Sequence, residues 1–416
     1  MAWQDPHTAL ERFLRYVRVD TESDAASETS PSTAKQFDLL RLLEAELREA
    51  GAAEVYLAPE GYLVATVPGT VPGDAPTICC CAHVDTTQDV SGAGVVPRVH
   101  DYRGGTIVID AACGLALDAA EQPYLREHIG HRVVTASGGT LLGADDKAGV
   151  AAIMDAALYL LRHRDIAHAP LRLLFTTDEE IGAGVDGLDL GLVAADYAYT
   201  LDGGEAGTLE GETFSADGAV VRIAGVSAHP GYARGKMTSA VRAAAYLVEQ
   251  LPLDRQSPES TDGREGFVHC VKSAAVAEHA ELTFLLRDFE TARLDAHYAL
   301  LEEACAKTRE RFPAATVSVE RREQYRNMAE VLARHPAVLG NAHEAIRRVG
   351  LTPRESVIRG GTDGSRLSFM GLPCANVFTG MQMIHSQREW VGVRDLDLAA
   401  EVVVELVRVW GEGGKS

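Results

Sequence analysis

Residues 171–180, which read LRLLFTTDEE, join a short apolar run to three consecutive acidic side chains. The apolar part, 171–176, has the length and composition of a buried β-strand. A helical pattern over 147–162 precedes it, and a further apolar run at 197–201 follows it. Open α/β sheets place ligands at the carboxyl ends of their strands. This stretch therefore predicts an α/β fold with a polar site where the strand ends.

Helices and apolar strands alternate through the first half of the chain and again near its end, which predicts an α/β sheet with helices on both faces. Between about 208 and 322 the order becomes strand, helix, two strands, helix and strand, which is typical of a compact α+β unit. A chain of 416 residues also exceeds the usual size of one core. We expect a discontinuous first domain, 1–207 and 323–416, with an inserted smaller domain, 208–322. The Gly-rich, weakly periodic residues 86–140 are expected to form a long loop beside the site.

The composition excludes several classes of protein. A formal net charge of −21 argues against nucleic acid as a partner, because nucleic-acid binding requires a basic face. Seven cysteines without CxxC spacing fit a reducing compartment. The N-terminal residues lack the pattern of a signal peptide, and no stretch approaches the roughly 18 apolar residues of a membrane span. We expect a cytoplasmic protein that binds neither nucleic acid nor membrane.

His83 and Asp85 lie two residues apart at the end of a predicted strand. Alternate residues of a strand share a face, so Asp85 could fix the tautomer of His83 while the other ring nitrogen binds a metal ion. Such a pair is more often incidental when it stands alone. Asp145 and Asp146 stand at the start of the predicted helix. An acid at this position commonly caps the helix N-terminus, but capping requires only one of the two.

The adjacent carboxylates Glu179 and Glu180 indicate a site more strongly, because they repel one another unless a positive charge compensates them. One of them can ligate a metal ion while the other acts as a general base toward water. Asp202 closes the next strand, and His385 adds an imidazole further along the chain. Together these side chains predict a pair of divalent cations at the strand ends.

Longer runs of sequence resemble the two-zinc metallopeptidase family that includes carboxypeptidase G and the aminoacylases, and within it the peptidase T group of tripeptide aminopeptidases. These runs are LLGADDKAG (141–149), DEE (178–180), AHPG (228–231), LRDF (286–289), IRGGTDGS (358–365), VPGD (71–74), YRGG (102–105) and LSFMGLPC (367–374). The resemblance implies a catalytic domain whose mixed sheet is flanked by helices. Because relatives often pair through the inserted domain, a homodimer through it is one possible assembly. The inserted domain is also expected to close as a lid, since His229 and Arg287 lie on it while the predicted metal ligands lie elsewhere.

The same resemblance implies two Zn²⁺ ions per subunit, although Co²⁺ or Mn²⁺ would suit the same ligands. Position by position, it assigns His83 and Asp202 to one ion. It assigns Glu180 and His385 to the other ion, and Asp145 to both.

The resemblance also assigns two catalytic roles, with Glu179 as the general base and Asp85 as the residue that orients His83. It further implies a cis peptide bond between Asp145 and Asp146.

Four side chains are expected to contact a peptide substrate. By analogy with the family, His229 would donate a hydrogen bond to the oxyanion; the alternative is a surface histidine before a proline turn. Arg287 could clamp the C-terminal carboxylate of the peptide through paired hydrogen bonds; the alternative is an ion pair with Asp288 or Glu290. The remaining two are Arg359 and Asn327, with His269 as a further candidate.

The expected activity is removal of the N-terminal residue from tripeptides, with a small peptide as the partner molecule. Residues 381–384, MQMI, depart from the Gly-aromatic-Asn-aromatic stretch that the family carries before its last metal-binding histidine. This change keeps a related zinc dipeptidase or N-acyl amino acid amidohydrolase open as the alternative. A catalytically silent peptide-binding protein is a further alternative, against which Glu179 argues because a pure binder needs no general base.

Overall fold

The computed structural model describes residues 3–413. Its α-helices are α1 (Ala9–Tyr16), α2 (Gln36–Glu49), α3 (Ala144–Arg162), α4 (Leu190–Val193), α5 (Ala240–Glu249), α6 (Arg293–Arg311), α7 (Ala329–Leu332), α8 (Pro336–Arg348), α9 (Asp363–Met370) and α10 (Val393–Gly411). Its strands are β1 (Ala53–Leu57), β2 (Leu63–Val67), β3 (Ile78–His83), β4 (Arg98–Asp101), β5 (Ile107–Asp110), β6 (Leu115–Leu117), β7 (Arg132–Thr135), β8 (Leu171–Thr176), β9 (Tyr197–Gly203), β10 (Thr208–Thr213), β11 (Ser215–Ala224), β12 (Phe267–Ala275), β13 (His279–Asp288), β14 (Thr316–Tyr325), β15 (Arg354–Ile358), β16 (Cys374–Phe378), β17 (Met381–Gln382) and β18 (Trp390–Gly392).

The first of two compact units contains an eight-stranded sheet with the order β1-β2-β8-β3-β9-β16-β10-β15. Strands β8, β3, β9 and β16 are parallel, whereas the pairs β1-β2, β2-β8 and β10-β16 are antiparallel. The predicted mixed sheet flanked by helices is therefore confirmed. Because the central strands point the same way, the residues that follow β3, β8 and β9 emerge at one edge of the sheet.

Helix α3 is buried along nearly its whole length, from Ala144 to Leu160. Its Ala-rich sequence has no continuous polar face, which is typical of a helix covered on several sides. Gly149 allows the helix to approach β9 closely, since a Cβ atom there would lie 1.9 Å from the carbonyl oxygen of Leu201. This contact brings the first turn of α3 against the end of β9.

A small β structure occupies much of the segment that the sequence predicted to be a long loop, and that prediction was wrong. Strands β4 and β7 join β18 and β17 in a second sheet, and β5 pairs with β6. Apolar side chains that include Tyr102, Leu125 and Trp390 form its core. Strands of three or four residues are too short to display the alternation by which a strand is recognised.

The second compact unit comprises Glu212–Ala329 and Val357–Gly361, compared with the predicted inserted domain of 208–322. Its antiparallel sheet has the order β12-β13-β11-β14. Helices α5 and α6 pack on this sheet, and the buried core lies between Ala219 and Val317 in sequence. The unit is therefore an α+β structure with a hydrophobic core of its own.

Within residues 3–413, no helix combines the length and the apolar character needed to cross a membrane.

Candidate metal centre

Five predicted side chains converge where the central strands of the first unit end. His83 is the last residue of β3, Asp202 lies on β9, and Asp145 belongs to the first turn of α3. Glu180 stands in the turn after β8, and His385 follows β17. The parallel order of β8, β3 and β9 explains how residues from distant parts of the chain meet at one edge.

The five side chains form two groups that share Asp145. In one group, His83 Nε2 lies 3.0 Å from Asp145 Oδ1 and 3.9 Å from Asp202 Oδ1. In the other, His385 Nε2 lies 3.3 Å from Asp145 Oδ2 and 2.8 Å from Glu180 Oε2. The ligand atoms of each group lie within 4.8 Å of one another. Each carboxylate oxygen of Asp145 therefore faces a different group, an arrangement that suits a carboxylate shared by two cations.

The electrostatics of these groups call for added positive charge. Burial raises the pKa of Glu180 to about 7. Burial and the neighbouring carboxylates of Asp146 and Asp145 hold the pKa of Asp202 well above its usual range. Atom Oε1 of Glu180 is buried and has no hydrogen-bond partner among residues 3–413. Clustered buried carboxylates are costly unless a cation compensates them, so the chemistry of this donor set fits divalent metal ions.

The histidines have raised pKa values for a related reason. Burial alone would lower the pKa of His83, but hydrogen bonds to Asp145 and Asp85 raise it well above its usual range. Hydrogen bonds to Asp145 and Glu180 raise the pKa of His385 to about 11. The carboxylates around both rings thus favour a positive charge there. A metal ion bound to the neutral rings would supply that charge in place of the protons.

Asp85 contacts two parts of the site at once. Its Oδ1 atom lies 3.2 Å from His83 Nδ1. The backbone N–H groups of Glu179 and Glu180 also donate to its two oxygens, at 3.0 and 3.2 Å. The position of Asp85 beside His83 was expected, whereas its hydrogen bonds to the turn after β8 were not.

The turn that carries Glu179 is held by side chains from the N-terminal part of the chain. Asp178 adopts a left-handed conformation with φ of 63°. Its carboxylate accepts hydrogen bonds from the backbone N–H of Ser32 at 2.6 Å and from Gln36 Nε2 at 2.6 Å. Sequence reasoning missed Ser32 and Gln36 because they lie about 140 positions away and belong to no catalytic motif.

Two further acidic residues near the centre were not predicted to have these contacts. Asp89 Oδ2 lies 3.2 Å from His385 Nδ1, on the side of the ring opposite the ligand atoms. Asp146 accepts the N–H groups of His83 and Gly149 at 3.3 and 3.1 Å. The peptide bond between Asp145 and Asp146 is cis, as the family resemblance implied. The bond from Gly149 to Asp146 has the capping spacing that the sequence indicated, whereas no spacing reveals the contacts of Asp146 with His83 or of Asp89 with His385.

The predicted substrate contacts all lie in the second unit. His229 is exposed, and its Nδ1 accepts a hydrogen bond from the N–H of Gly231 at 3.2 Å. Arg287 is buried, and its Nη1 donates to the carbonyl oxygens of Asp217 and Leu286.

The other two candidates brace backbone of the same unit. Arg359 Nη1 donates to the carbonyl oxygens of Gly263 and Glu265, at 2.8 and 3.0 Å. Asn327 Oδ1 accepts the N–H of Thr213 at 3.1 Å, and its Nδ2 donates to the carbonyl of Phe289 at 3.0 Å. For Arg359 and Asn327, these bonds favour a bracing role over substrate contact.

Comparisons with known proteins show which family and which solved structures the chain is similar to. The model of the family described as Peptidase family M20/M25/M40 matches residues 134–409. Proteins named Peptidase T from Exiguobacterium sp. and Lysinibacillus sphaericus are each 41% identical to the chain; the alignments cover 97% and 98% of the chain, and 98% and 99% of the relatives.

Solved structures with a similar fold include the aminopeptidase PepT from Bacillus cereus, with a TM-score of 0.71 at 23% identity. A tripeptidase from Staphylococcus aureus has a TM-score of 0.73 at 20% identity. Each alignment covers 97% of the chain and 98% of the solved protein. A dinuclear metal-binding peptidase of the M20 family from Bacillus subtilis has a TM-score of 0.62 at 15% identity, over 97% of the chain and 98% of that protein. These likenesses describe the fold.

Proposed function

Since the chain belongs to peptidase family M20/M25/M40, a family of metallopeptidases, we propose that it is a di-zinc aminopeptidase that removes the N-terminal residue from tripeptides. Relatives named Peptidase T that match nearly the whole chain support this proposal. The solved tripeptidase from Staphylococcus aureus shows that a tripeptidase has a similar fold.

The observation that carries the proposal is the pair of ligand groups joined by Asp145. His83 and Asp202 would hold one ion, Glu180 and His385 the other. When bound, the two ions would supply the positive charge that acidifies the attacking water and polarises the scissile carbonyl. Zinc suits these nitrogen and oxygen ligands, and cobalt or manganese would suit them as well.

Glu179 is the proposed general base. Burial and the nearby carboxylates of Asp363 and Glu180 hold its pKa well above its usual range, which makes the side chain a stronger base than a solvated glutamate. Asp85 holds the backbone of Glu179 by a hydrogen bond, so the base has a defined position. Glu179 would take the proton of the attacking water and return it to the amine that leaves.

His229 is the proposed donor to the oxyanion. Because its Nδ1 accepts a hydrogen bond from Gly231, a neutral ring must carry its proton on Nε2. That exposed N–H group is the type of donor that stabilises negative charge on a tetrahedral intermediate. Arg287 would clamp the C-terminal carboxylate of the peptide. Its Nη1 atom donates to the two backbone carbonyls, so Nε and Nη2 would form the paired hydrogen bonds to the substrate.

A related dipeptidase or N-acyl amino acid amidohydrolase is the second candidate, and residues 381–384 favour it. Met383 lies in this segment with φ of 51°, a conformation that Asn adopts more readily than Met. Ile384, which precedes the metal-ligand candidate His385, is 41% exposed. The surface beside the proposed cation site thus differs from that of the family, which would alter the accepted substrate without altering the metal chemistry.

We further propose that the protein is cytoplasmic and that the inserted domain joins two subunits in a homodimer. All seven cysteines are free thiols, five of them buried, which accords with a reducing compartment.

The decisive experiment compares a matched set of peptides with two, three and four residues, and their N-acetylated forms, at a fixed zinc concentration. We expect cleavage of the free tripeptide, and a loss of at least about 10²-fold in kcat in Glu179→Gln. Zinc binding, measured by calorimetry, should persist in that variant because Glu179 is not among the ligands. Cleavage of acetylated or two-residue substrates would instead support the second candidate function, a dipeptidase or N-acyl amino acid amidohydrolase. Zinc binding without any cleavage would leave only a peptide-binding role.

A further inference from the structure

Glu389, a buried carboxylate outside the two ligand groups, contacts the turn that carries Asp145. We infer that Glu389 is a positioning residue, which holds Asp145 where it can serve both cation groups. The inference rests on the proposed metal centre, but it does not depend on which substrate the enzyme cleaves.

The carboxylate of Glu389 accepts three backbone hydrogen bonds from one turn. Its Oε2 atom accepts the N–H groups of Leu142 and Gly143, both at 2.7 Å, and Oε1 accepts the N–H of Asp145 at 2.9 Å. Glu389 itself is 1% exposed. Both of its oxygens are thus engaged by the turn, so the side chain is placed to orient a ligand and not to act as one.

The turn needs such an acceptor because its backbone is irregular. Gly143 is left-handed, and Asp145 and Asp146 have dihedral angles outside the helical range although they stand at the start of α3. Regular helical hydrogen bonds therefore do not determine the direction of the Asp145 side chain. Buried N–H groups require partners, and one carboxylate supplies them for three residues.

Glu389 also joins this turn to the segment that carries His385. The N–H of Glu389 donates to the carbonyl of Ser386 at 3.2 Å. The hydroxyl of Ser386 donates to the carbonyl of Met383 at 2.7 Å, which closes a tight turn around His385. The same short segment thus presents one cation ligand directly and holds the shared ligand through Glu389.

Only a glutamate fits this role among the common acidic and amide side chains. Glutamine has one acceptor oxygen and an NH₂ group, so at least one of the three N–H groups would face a donor. Aspartate keeps both acceptors but is one methylene shorter, so it could not reach all three N–H groups from the same backbone position.

The test measures Zn²⁺ binding to metal-free full-length protein by titration calorimetry, without substrate, for the wild type and Glu389→Gln. We expect the variant to bind both ions 10- to 100-fold more weakly, the range known for residues that orient metal ligands. Both sites should weaken because Asp145 belongs to both groups, whereas His385→Ala should weaken mainly one. The control is Glu405→Gln, which changes another buried glutamate, one that pairs with Arg408 on α10 and is no part of the centre; its zinc affinities should equal those of the wild type.

A purely structural role would reduce the urea resistance of the metal-free Glu389→Gln protein and leave the zinc affinities of its folded form unchanged, which would overturn the inference. If Glu389→Gln does not fold, Glu389→Asp decides: zinc affinities within twofold of the wild type would overturn the inference, and a larger loss would support it. Zinc binding that depends on Glu389 in a protein that cleaves no peptide would refute the proposed function alone. A wild type that binds no zinc would refute both.

Discussion

Single residues of the proposed metal centre show that neighbouring carboxylates have two different sets of contacts. Asp145, Asp202 and Glu180 face the two candidate cation positions. Asp85 and Glu389 instead accept backbone N–H groups of the turns that carry those ligands. In sequence all five are acids beside strand or helix ends, so residue type alone cannot separate a ligand from the residue that orients it. The spacing of His83 and Asp85 predicted that Asp85 lies beside His83, but not that Asp85 also accepts the backbone N–H groups of the turn after β8.

A half-buried glutamate outside the centre, Glu210, gives a pH-dependent prediction. Burial raises the pKa of Glu210 from its usual 4.5 to about 7, although Asn376 donates to it at 2.6 Å. The folded state therefore holds this proton more tightly than the unfolded state, so the contribution of Glu210 to stability falls as the pH rises from about 4.5 to 7. Glu210→Gln should escape this loss and gain up to about 3 kcal/mol relative to the wild type between pH 5 and pH 8.

Urea unfolding of both proteins at several pH values measures this difference. Glutamine can still accept from Asn376, so the two proteins should approach equal stability at the acidic end. A difference in unfolding free energy that does not change with pH would contradict the prediction.

At the scale of elements, long and strongly apolar segments were easier to predict than short or charged ones. Strand β8 has the predicted bounds, 171–176. Residues 316–319 alone have the apolar alternation that predicts a strand, but β14 extends six residues further, to Tyr325. The added part was not predicted because residues such as Arg321 and Arg322 carry charge in place of apolar alternation. The small sheet built from β4, β7, β17 and β18 joins segments more than 200 residues apart. Its strands are stabilised by that non-local pairing, which leaves no local pattern to recognise.

The contact between α3 and β9 gives a prediction at this scale. A Cβ atom at position 149 would lie 1.9 Å from the carbonyl oxygen of Leu201, so Gly149→Ala must push the helix from the strand. We expect a loss of about 1–3 kcal/mol in the free energy of unfolding. Weaker zinc binding should accompany it, because Asp145 and Asp202 stand at the two sides of the contact.

The matched control is Gly340→Ala in α8, where a Cβ atom would meet nothing within 4 Å. That substitution should stabilise the protein by roughly 0.5–1 kcal/mol, since alanine favours a helix over glycine. Thermal and urea unfolding measure both effects. Equal stability of the two variants would show that the close approach of α3 to β9 is not required.

Across the whole molecule, the chain divides into two compact units. The second unit is continuous apart from Val357–Gly361, and its buried core comes entirely from residues between Ala219 and Val317. The first unit, by contrast, pairs β9 with β16 and packs α3 against α10. It therefore depends on residues from both ends of the chain.

This difference predicts how fragments of the chain behave. A fragment of residues 212–329 should fold cooperatively by itself, with a circular dichroism spectrum of mixed helix and strand and a single urea transition. A fragment of residues 3–211 should not, because it lacks β16 and α10, which cover β9 and α3. A disordered 212–329 fragment would contradict the domain division proposed from the sequence.

Local sequence was sufficient to predict the α/β class, the alternation of helices with apolar strands, and the acids and histidines at the strand ends. These features are local, since each follows from composition and periodicity within about 20 residues. Only the fold shows which acids face the two candidate cation positions and which accept backbone N–H groups, as Asp145 and Glu389 illustrate. It also decided the pairing of β18 with β7 and the bracing of Asp178 by Ser32 and Gln36. Those outcomes depend on contacts between residues far apart in the chain, whose partners the local sequence does not record.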